Sequence, residues 1–121
     1  MEFVFVGIGG ILGSMARYSL GNRLSFGRRA FFPMGTFFVN ISGAFLLGLL
    51  VNLNPGKNLY LLAAEGFLGS YTTFSTFMYE GFNLISGKKC LNALVYITLS
   101  LFLGITAFVL GTLLINLVKA N

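Results

Sequence analysis

The sequence predicts an all-α membrane protein with four transmembrane helices. Three observations lead to this prediction. Of the 121 residues, 56% are hydrophobic and only 9% are charged, whereas a water-soluble domain carries far more charge. The hydrophobic residues come in long blocks rather than at the spacing of an amphipathic helix. These blocks also approach the roughly 20 residues that a helix needs to cross the hydrocarbon of a bilayer.

The first two predicted spans cover residues 3–22 and 33–53. The first is rich in glycine and contains Arg17, which either extends its charged end to the interface or faces water inside the protein. A basic and aromatic connection, "GNRLSFGRRAFF", follows it, as is typical of a membrane interface. The second span begins at Pro33, where the missing N–H costs nothing, and the turn "NPGK" ends it.

The third and fourth predicted spans cover residues 59–85 and 91–118, and "SGKK" separates them. The fourth has 28 residues without a charge. As a helix it is about 42 Å long at 1.5 Å per residue, enough to cross a bilayer with a tilt. We therefore expect residues 1–121 to form a single transmembrane domain.

Basic residues are unevenly distributed between the two sides of the membrane. Because four spans put both termini on one side, the loops after spans one and three lie together on the other. Six basic residues fall on or near the loop side and two on the terminal side. The six are Arg17, Arg23, Arg28, Arg29, Lys88 and Lys89, and the two are Lys57 and Lys119. The positive-inside rule then favours termini outside the cell.

Composition argues against an enzyme. The chain has no histidine, and its acidic residues are Glu2, Glu65 and Glu80. One chain therefore cannot build a His-based triad, a His metal site or a pair of aspartates. The single cysteine, Cys90, excludes a disulfide within the chain. The N-terminus lacks the basic region of a cleavable signal peptide, so we expect the first span to be permanent.

Small and hydroxyl residues crowd the middle of the third span. Between residues 66 and 76, seven of eleven residues are Gly, Ser or Thr. Glycines and consecutive threonines weaken a helix, and a backbone group released from helical pairing in a membrane must find another partner. The segment is therefore either a break in the helix or a face of small residues that lets helices pack closely.

Polar side chains recur at helical spacing on the second and fourth spans. Thr36 and Asn40 lie one turn apart, and Asn92, Tyr96 and Ser100 recur every four residues. All of them can donate hydrogen bonds, which suits anions. The two sets either contact a ligand or join helices by hydrogen bonds.

Three motifs follow one another along the chain. They are "GGILGSMARY" in the first span, "PMGTFFVNISGAFLLG" at the start of the second and "GFLGSYTTFSTFMYE" in the third. Together they cover nearly the whole chain in order. At this spacing, on a four-span chain of this length, they resemble the Fluc (CrcB-type) family of fluoride ion channels.

The resemblance implies a homodimer of two four-helix subunits inserted antiparallel, with two fluoride pores lined by both subunits. It also implies that the third helix breaks at the membrane centre and that backbone carbonyls of Gly69 and Thr72 hold a sodium ion at the dimer interface. Such a channel lets fluoride leave the cell passively through the inner membrane of a prokaryote and relieves fluoride toxicity. The implied partners are fluoride, a second copy and membrane lipid, with no nucleic acid.

The resemblance also implies the pore residues. Phe74 and Phe77 match the family's phenylalanine pair, whose positive ring edges can face an anion, and Asn40 matches its pore-lining asparagine. Arg17 matches the basic residue of the aqueous vestibule, where it attracts anions. The other implied pore residues are Thr36, Ser75, Thr76, Glu80, Tyr96 and Ser100. A serine of this polar track falls at Gly104, where the chain departs from the family pattern.

Two other classes of function compete with a channel. A small multidrug or cation exporter also has four spans, but it needs a titratable carboxylate in its first span. Here that span has none beyond Glu2 at its edge. A packing subunit of a larger membrane complex would use the polar stripes only to join helices.

Overall fold

The computed structural model describes residues 2–24 and 33–120, and these residues are helical almost throughout. Helix α1 is Glu2–Leu24 and α2 is Met34–Leu53. Helix α3 covers residues 57–71 in three parts, which are α-helical Lys57–Tyr60, π-helical Leu61–Leu68 and α-helical Gly69–Tyr71. Helix α4 is Phe74–Ser86 and α5 is Cys90–Ala120. Residues 21–24 of the predicted basic connection belong to α1, and its remainder, with Arg28 and Arg29, lies outside the described residues.

Within the described residues, three helices are long and apolar enough to cross a membrane. They are Glu2–Arg23, Met34–Leu53 and Cys90–Ala120, with mean hydropathies of 1.4, 1.9 and 2.3. Large apolar side chains stay exposed along them, as Phe3 and Leu91 illustrate. Lipid is as apolar as these side chains, so their exposure is favourable in a bilayer. The region predicted as the third span differs because it is divided between α3 and α4 at Thr72 and Thr73.

Flanking residues determine the ends of α2. The Pro33 carbonyl accepts a hydrogen bond of 3.1 Å from the Phe37 N–H, which closes the first turn. Pro33 itself has no backbone N–H to leave unpaired at this end. Asn54 adopts a left-handed conformation with φ 53°, and Pro55 follows it. A left-handed residue followed by proline is a common way to end a helix.

Glycines bring the helices together in two close pairs. Where α1 packs on α3, a Cβ added at Gly66 would lie 2.6 Å from the Val6 carbonyl oxygen and 3.0 Å from the Gly9 Cα. Where α2 packs on α5, a Cβ added at Gly111 would lie 3.1 Å from the Leu49 backbone nitrogen. Any larger residue would push these backbones apart, which explains the small residues at both contacts.

The π-helical part of α3 was not predicted from the sequence. The Gly69 N–H that follows it donates to the Ala64 carbonyl, five residues back. This pairing widens the turn relative to an α-helix, and such segments often lie at functional sites. The pairing shift has no compositional signature, so hydropathy describes Leu61–Leu68 only as part of an apolar helix.

Two clusters of buried side chains lie against α2, close to the division between α3 and α4. One cluster consists of Phe37, Phe77 and Tyr96, and the other of Val39, Leu68 and Tyr71. Because Phe37 and Val39 belong to the same helix, α2 positions the residues on both sides of the division.

Candidate functional site

The helix of the third predicted span is interrupted at Thr72 and Thr73. Both residues are extended, with ψ of 156° and 122°. Before the interruption, the Thr72 N–H donates to the Leu68 carbonyl over 3.1 Å, which completes the last turn of α3. After it, the Thr73 hydroxyl accepts from the Thr76 N–H over 3.2 Å and caps the start of α4. Of the two alternatives for this segment, the structure has the break.

The Asn40 side chain of α2 forms two hydrogen bonds with the backbone of Thr73. Its amide oxygen accepts from the Thr73 N–H over 2.9 Å, and its amide nitrogen donates to the Thr73 carbonyl over 3.0 Å. Asn40 thus replaces the helical acceptor of the Thr73 N–H and adds a donor to the Thr73 carbonyl. Asn40 therefore joins α2 to the break.

The break changes the pairing of two backbone carbonyls. In an uninterrupted α-helix, the Thr73 N–H would donate to the Gly69 carbonyl and the Thr76 N–H to the Thr72 carbonyl. The first donates instead to Asn40 and the second to the Thr73 hydroxyl. The Gly69 and Thr72 carbonyls therefore lose these two helical donors. The described residues contain no cluster of His, Cys, Asp or Glu side chains that could hold a metal.

Hydroxyl groups attach the end of α3 to its neighbours. The Ser70 hydroxyl donates to the Gly10 carbonyl of α1 over 2.8 Å and also lies 3.0 Å from the Gly66 carbonyl. The hydroxyls of Tyr71 and Ser42 share a hydrogen bond of 2.9 Å, which connects α3 to α2. The end of α3 is therefore held on two sides.

The two phenylalanines of α4 have different surroundings. Their ring centroids lie 6.2 Å apart. Phe77 is buried, and its ring centroid lies 5.1 Å from that of the fully buried Tyr96. Phe74 is 75% exposed in the single chain. Packing within the chain therefore holds Phe77, whereas Phe74 is available to other partners.

A polar contact joins α2 to α4 one turn beyond the phenylalanines. The Thr36 hydroxyl donates to the carboxylate of Glu80, and both side chains are partly buried. The predicted pore residues Thr36 and Glu80 therefore meet directly. They are 44 residues apart in the sequence, so only the approach of α2 and α4 brings them together.

A groove of about 480 Å³ lies between α2, the break and α5. Its lining includes six of the predicted site residues, which are Asn40, Gly69, Thr72, Phe74, Phe77 and Ser100. Gly104 also lines it, and a Cβ added there would meet nothing within 4 Å. The Ser100 hydroxyl is buried and has no hydrogen-bond partner among the described residues. A buried hydroxyl favours a polar ligand or water beside it.

A second cavity of about 180 Å³ borders the half-buried Arg17. Thr36 and Thr76 also line it, so the predicted vestibule residue faces the same space as two predicted pore residues. Thr73 lines both cavities. The break therefore separates an apolar groove from a cleft that carries a positive charge.

Thr73 has a role that the sequence analysis did not assign to it. Its backbone binds Asn40, its hydroxyl caps α4, and the exposed Ser75 hydroxyl lies 3.4 Å from that hydroxyl. A threonine directly before an apolar helical segment is a typical N-cap signal. The same signal in "TTFSTF" could have identified Thr73 as the first residue after a break.

The chain matches known proteins over most of its length. The family profile described as "CrcB-like protein, Camphor Resistance (CrcB)" matches residues 4–112. A relative from Clostridium acetobutylicum, named "Fluoride-specific ion channel FluC 2", is 54% identical over 111 residues, which cover 92% of this chain and 95% of that protein. A protein of the same name from Moorella thermoacetica is 45% identical over 116 residues, which cover 93% of this chain and 95% of that protein. "Fluoride-specific ion channel FluC 1" from Carboxydothermus hydrogenoformans is 34% identical over 121 residues, which cover 100% of this chain and 98% of that protein. The chain is therefore a multi-pass membrane protein that belongs to the CrcB-like family.

Proposed function

We propose that this protein forms a fluoride-selective ion channel through which fluoride crosses the membrane passively. The observation that carries the proposal is the 54% identity, over 92% of the chain, to a relative named as a fluoride-specific ion channel. The protein acts as a channel and not as an enzyme, and it needs no coupling to nucleotides or protons. A small multidrug exporter is not favoured, because the matching relatives are named as channels.

The chemistry of the groove suits fluoride. This anion holds its hydration shell tightly, so a channel must replace water with donors without binding the ion so strongly that conduction stops. The Asn40 amide, the Ser100 hydroxyl and the positive edge of the Phe77 ring supply moderate attraction. No charged residue of the described ranges lines this groove. A lysine or arginine there would hold the anion too long.

The polar track consists of hydroxyls and one carboxylate. The carboxylate of Glu80 accepts the Thr36 hydrogen bond and orients that hydroxyl. Tyr96 packs beside Phe77, while Ser75 and Thr76 lie exposed on the first turn of α4. Arg17 shares its cleft with Thr36, so it attracts anions to the entrance of the track.

The working channel is an antiparallel homodimer with four spans in each subunit and two pores. Residues 57–86 of α3 and α4 together exceed the roughly 20 residues of a span, which supports a broken third span with the break near the membrane centre. The exposure of Phe74 beside an open groove supports a second copy that covers it. Lipid surrounds the remaining apolar surface.

A sodium ion binds at the interface through the carbonyls of Gly69 and Thr72 from both subunits. The break supports this site, because the Thr73 N–H donates to Asn40 and the Thr76 N–H to the Thr73 hydroxyl instead of to the two carbonyls. Hard cations prefer oxygen ligands, and carbonyls without a helical partner are costly in a membrane. When bound, the ion supplies a positive charge and a link between the subunits. Asn40 and the Thr73 hydroxyl keep these carbonyls accessible.

The channel protects a prokaryotic cell from fluoride at its inner membrane. Hydrogen fluoride enters the cell as a neutral molecule and dissociates, and the anion then leaves through the pore. This role needs only a passive path.

Ion release from liposomes tests the proposal. The purified protein is reconstituted into liposomes loaded with potassium fluoride and potassium chloride, valinomycin is added so that potassium leaves with the anion and the charge stays balanced, and each anion is followed with its own electrode. We expect rapid fluoride release and no chloride release above that of protein-free liposomes. Absence of any release would favour a packing subunit, and equal release of both anions would contradict selectivity for fluoride.

A further inference from the structure

We propose that Asn40 holds the third helix open and thereby couples the cation site to the fluoride path. This inference rests on the proposed function, because it concerns the sodium site and pore of that channel. It gives Asn40 a positioning role in addition to its contact with the anion. The two hydrogen bonds between Asn40 and the Thr73 backbone carry the argument.

Most of the hydrogen-bonding groups of the Asn40 amide bind the backbone at the break. An asparagine offers two N–H donors and one carbonyl oxygen. The oxygen accepts from the Thr73 N–H and one N–H donates to the Thr73 carbonyl. Since Asn40 also lines the groove, fluoride there meets at most one remaining N–H of this amide. The same side chain therefore faces the anion with one hydrogen and the broken backbone with the rest.

Removing Asn40 lets the helix recover its own pairing. The Thr73 N–H would then have the Gly69 carbonyl as its nearest helical acceptor, which takes that oxygen from the cation. The packing of α2 explains how Asn40 stays beside Thr73. Val39, beside Asn40, is fully buried, and a Cβ added at Gly43 would meet the Thr72 side chain. These contacts of α2 with the break hold the Asn40 amide within hydrogen-bonding distance of the Thr73 backbone.

Two substitutions of Asn40 separate the cation effect from the anion effect. Asn40→Ala loses both hydrogen bonds, so we expect the sodium midpoint, which here means the apparent sodium dissociation constant fitted to the rise in stability, to rise about tenfold, equivalent to one net hydrogen bond. Asn40→Asp keeps an acceptor for the Thr73 N–H and adds a negative charge beside the groove. We expect its sodium midpoint to stay within about threefold of the wild type while fluoride release is lost.

The measurement is thermal unfolding of the purified protein in detergent, with sodium chloride titrated against choline chloride at constant ionic strength. Bound ligand raises the unfolding temperature, so the titration reports cation affinity without channel activity. Asn52→Ala is the matched control, because this amide on the same helix donates to Gly48 and Thr112, away from the break. We expect it to keep the wild-type sodium midpoint.

Thr73 provides a second pair of variants, which tests the other carbonyl of the cation site. Thr73→Ala removes the hydroxyl that takes the Thr76 N–H, so that donor can return to the Thr72 carbonyl. We expect a similar rise in the sodium midpoint, whereas Thr73→Ser keeps the cap and the wild-type value.

A wild-type sodium midpoint in Asn40→Ala, or in Asn40→Leu if the former does not fold, overturns the inference. Leucine has as many side-chain heavy atoms as asparagine and also loses both hydrogen bonds. A wild-type protein whose stability does not respond to sodium overturns both the inference and the sodium site. The fluoride channel itself is judged separately, by anion release from liposomes.

Discussion

Replacing the two phenylalanines by isoleucine separates packing from ion conduction. Phe77 is 7% exposed and pairs with Tyr96 at 5.1 Å between ring centroids. An aromatic pair contributes about 0.5–1.5 kcal/mol, and a change of shape in a packed core costs up to about 1.5 kcal/mol. We therefore expect Phe77→Ile to lower the free energy of unfolding by about 1–3 kcal/mol.

Phe74→Ile should cost much less stability. Phe74 is 75% exposed, so only about 50 Å² of a side chain of about 200 Å² is covered in the single chain. At about 25 cal/mol per Å², losing all of that contact costs about 1 kcal/mol, and isoleucine keeps part of it. A stable protein with impaired conduction is thus the expected result for this variant.

Both variants should release fluoride more slowly than the wild type, because isoleucine has no positive ring edge for the anion. The assay is fluoride release from liposomes with a fluoride electrode, with size-exclusion chromatography to follow the dimer. Phe82→Ile is the control, since Phe82 is an exposed phenylalanine on the same helix. Release at the wild-type rate from both variants would refute the role given to the rings.

Three further predictions address the polar contact, the helix packing and the orientation. Thr36→Val removes the hydroxyl that donates to Glu80, and a hydrogen bond to a charged group contributes about 1.5–3 kcal/mol. Fluoride release should slow in Thr36→Val, while Thr36→Ser keeps the wild-type rate; equal release by the two variants would contradict this role. Gly66→Ala forces apart two backbones in contact and should lower the unfolding free energy by about 1–3 kcal/mol. Gly7→Ala, with nothing within 4 Å of the added Cβ, should leave stability unchanged or slightly raise it, and equal thermal stability of both variants would disprove the packing argument. A reporter fused after Asn121 should face both sides of the membrane, and one uniform orientation would exclude an antiparallel homodimer.

The distribution of basic residues does not by itself favour insertion in two orientations. Two orientations are easiest to reach when basic residues are balanced, yet the chain carries six on one predicted side and two on the other. On the side with fewer charges, Lys57 pairs with Glu2, and Lys119 donates to the Asn52 carbonyl at the end of α2. Both lysines thus have local roles in the structure.

Hydropathy by itself determined that the chain is helical and suited to a membrane. A helix satisfies its own backbone groups, so the length and composition of each apolar block are enough to predict it. The long apolar helices Met34–Leu53 and Cys90–Ala120 illustrate this, since no distant contact is needed to define them. The motifs also indicated the family, which the comparisons confirmed.

Tertiary structure alone decided between the alternatives in the third span. The composition of residues 66–76 allowed a break or close packing, and the outcome depends on Asn40, which binds Thr73 from 33 residues away. Likewise, only the approach of α2 and α4 shows that Thr36 reaches Glu80. Partners of this kind are set by how helices approach in space. Local composition contains no information on that approach, whereas it suffices for a helix whose hydrogen bonds join residues four apart.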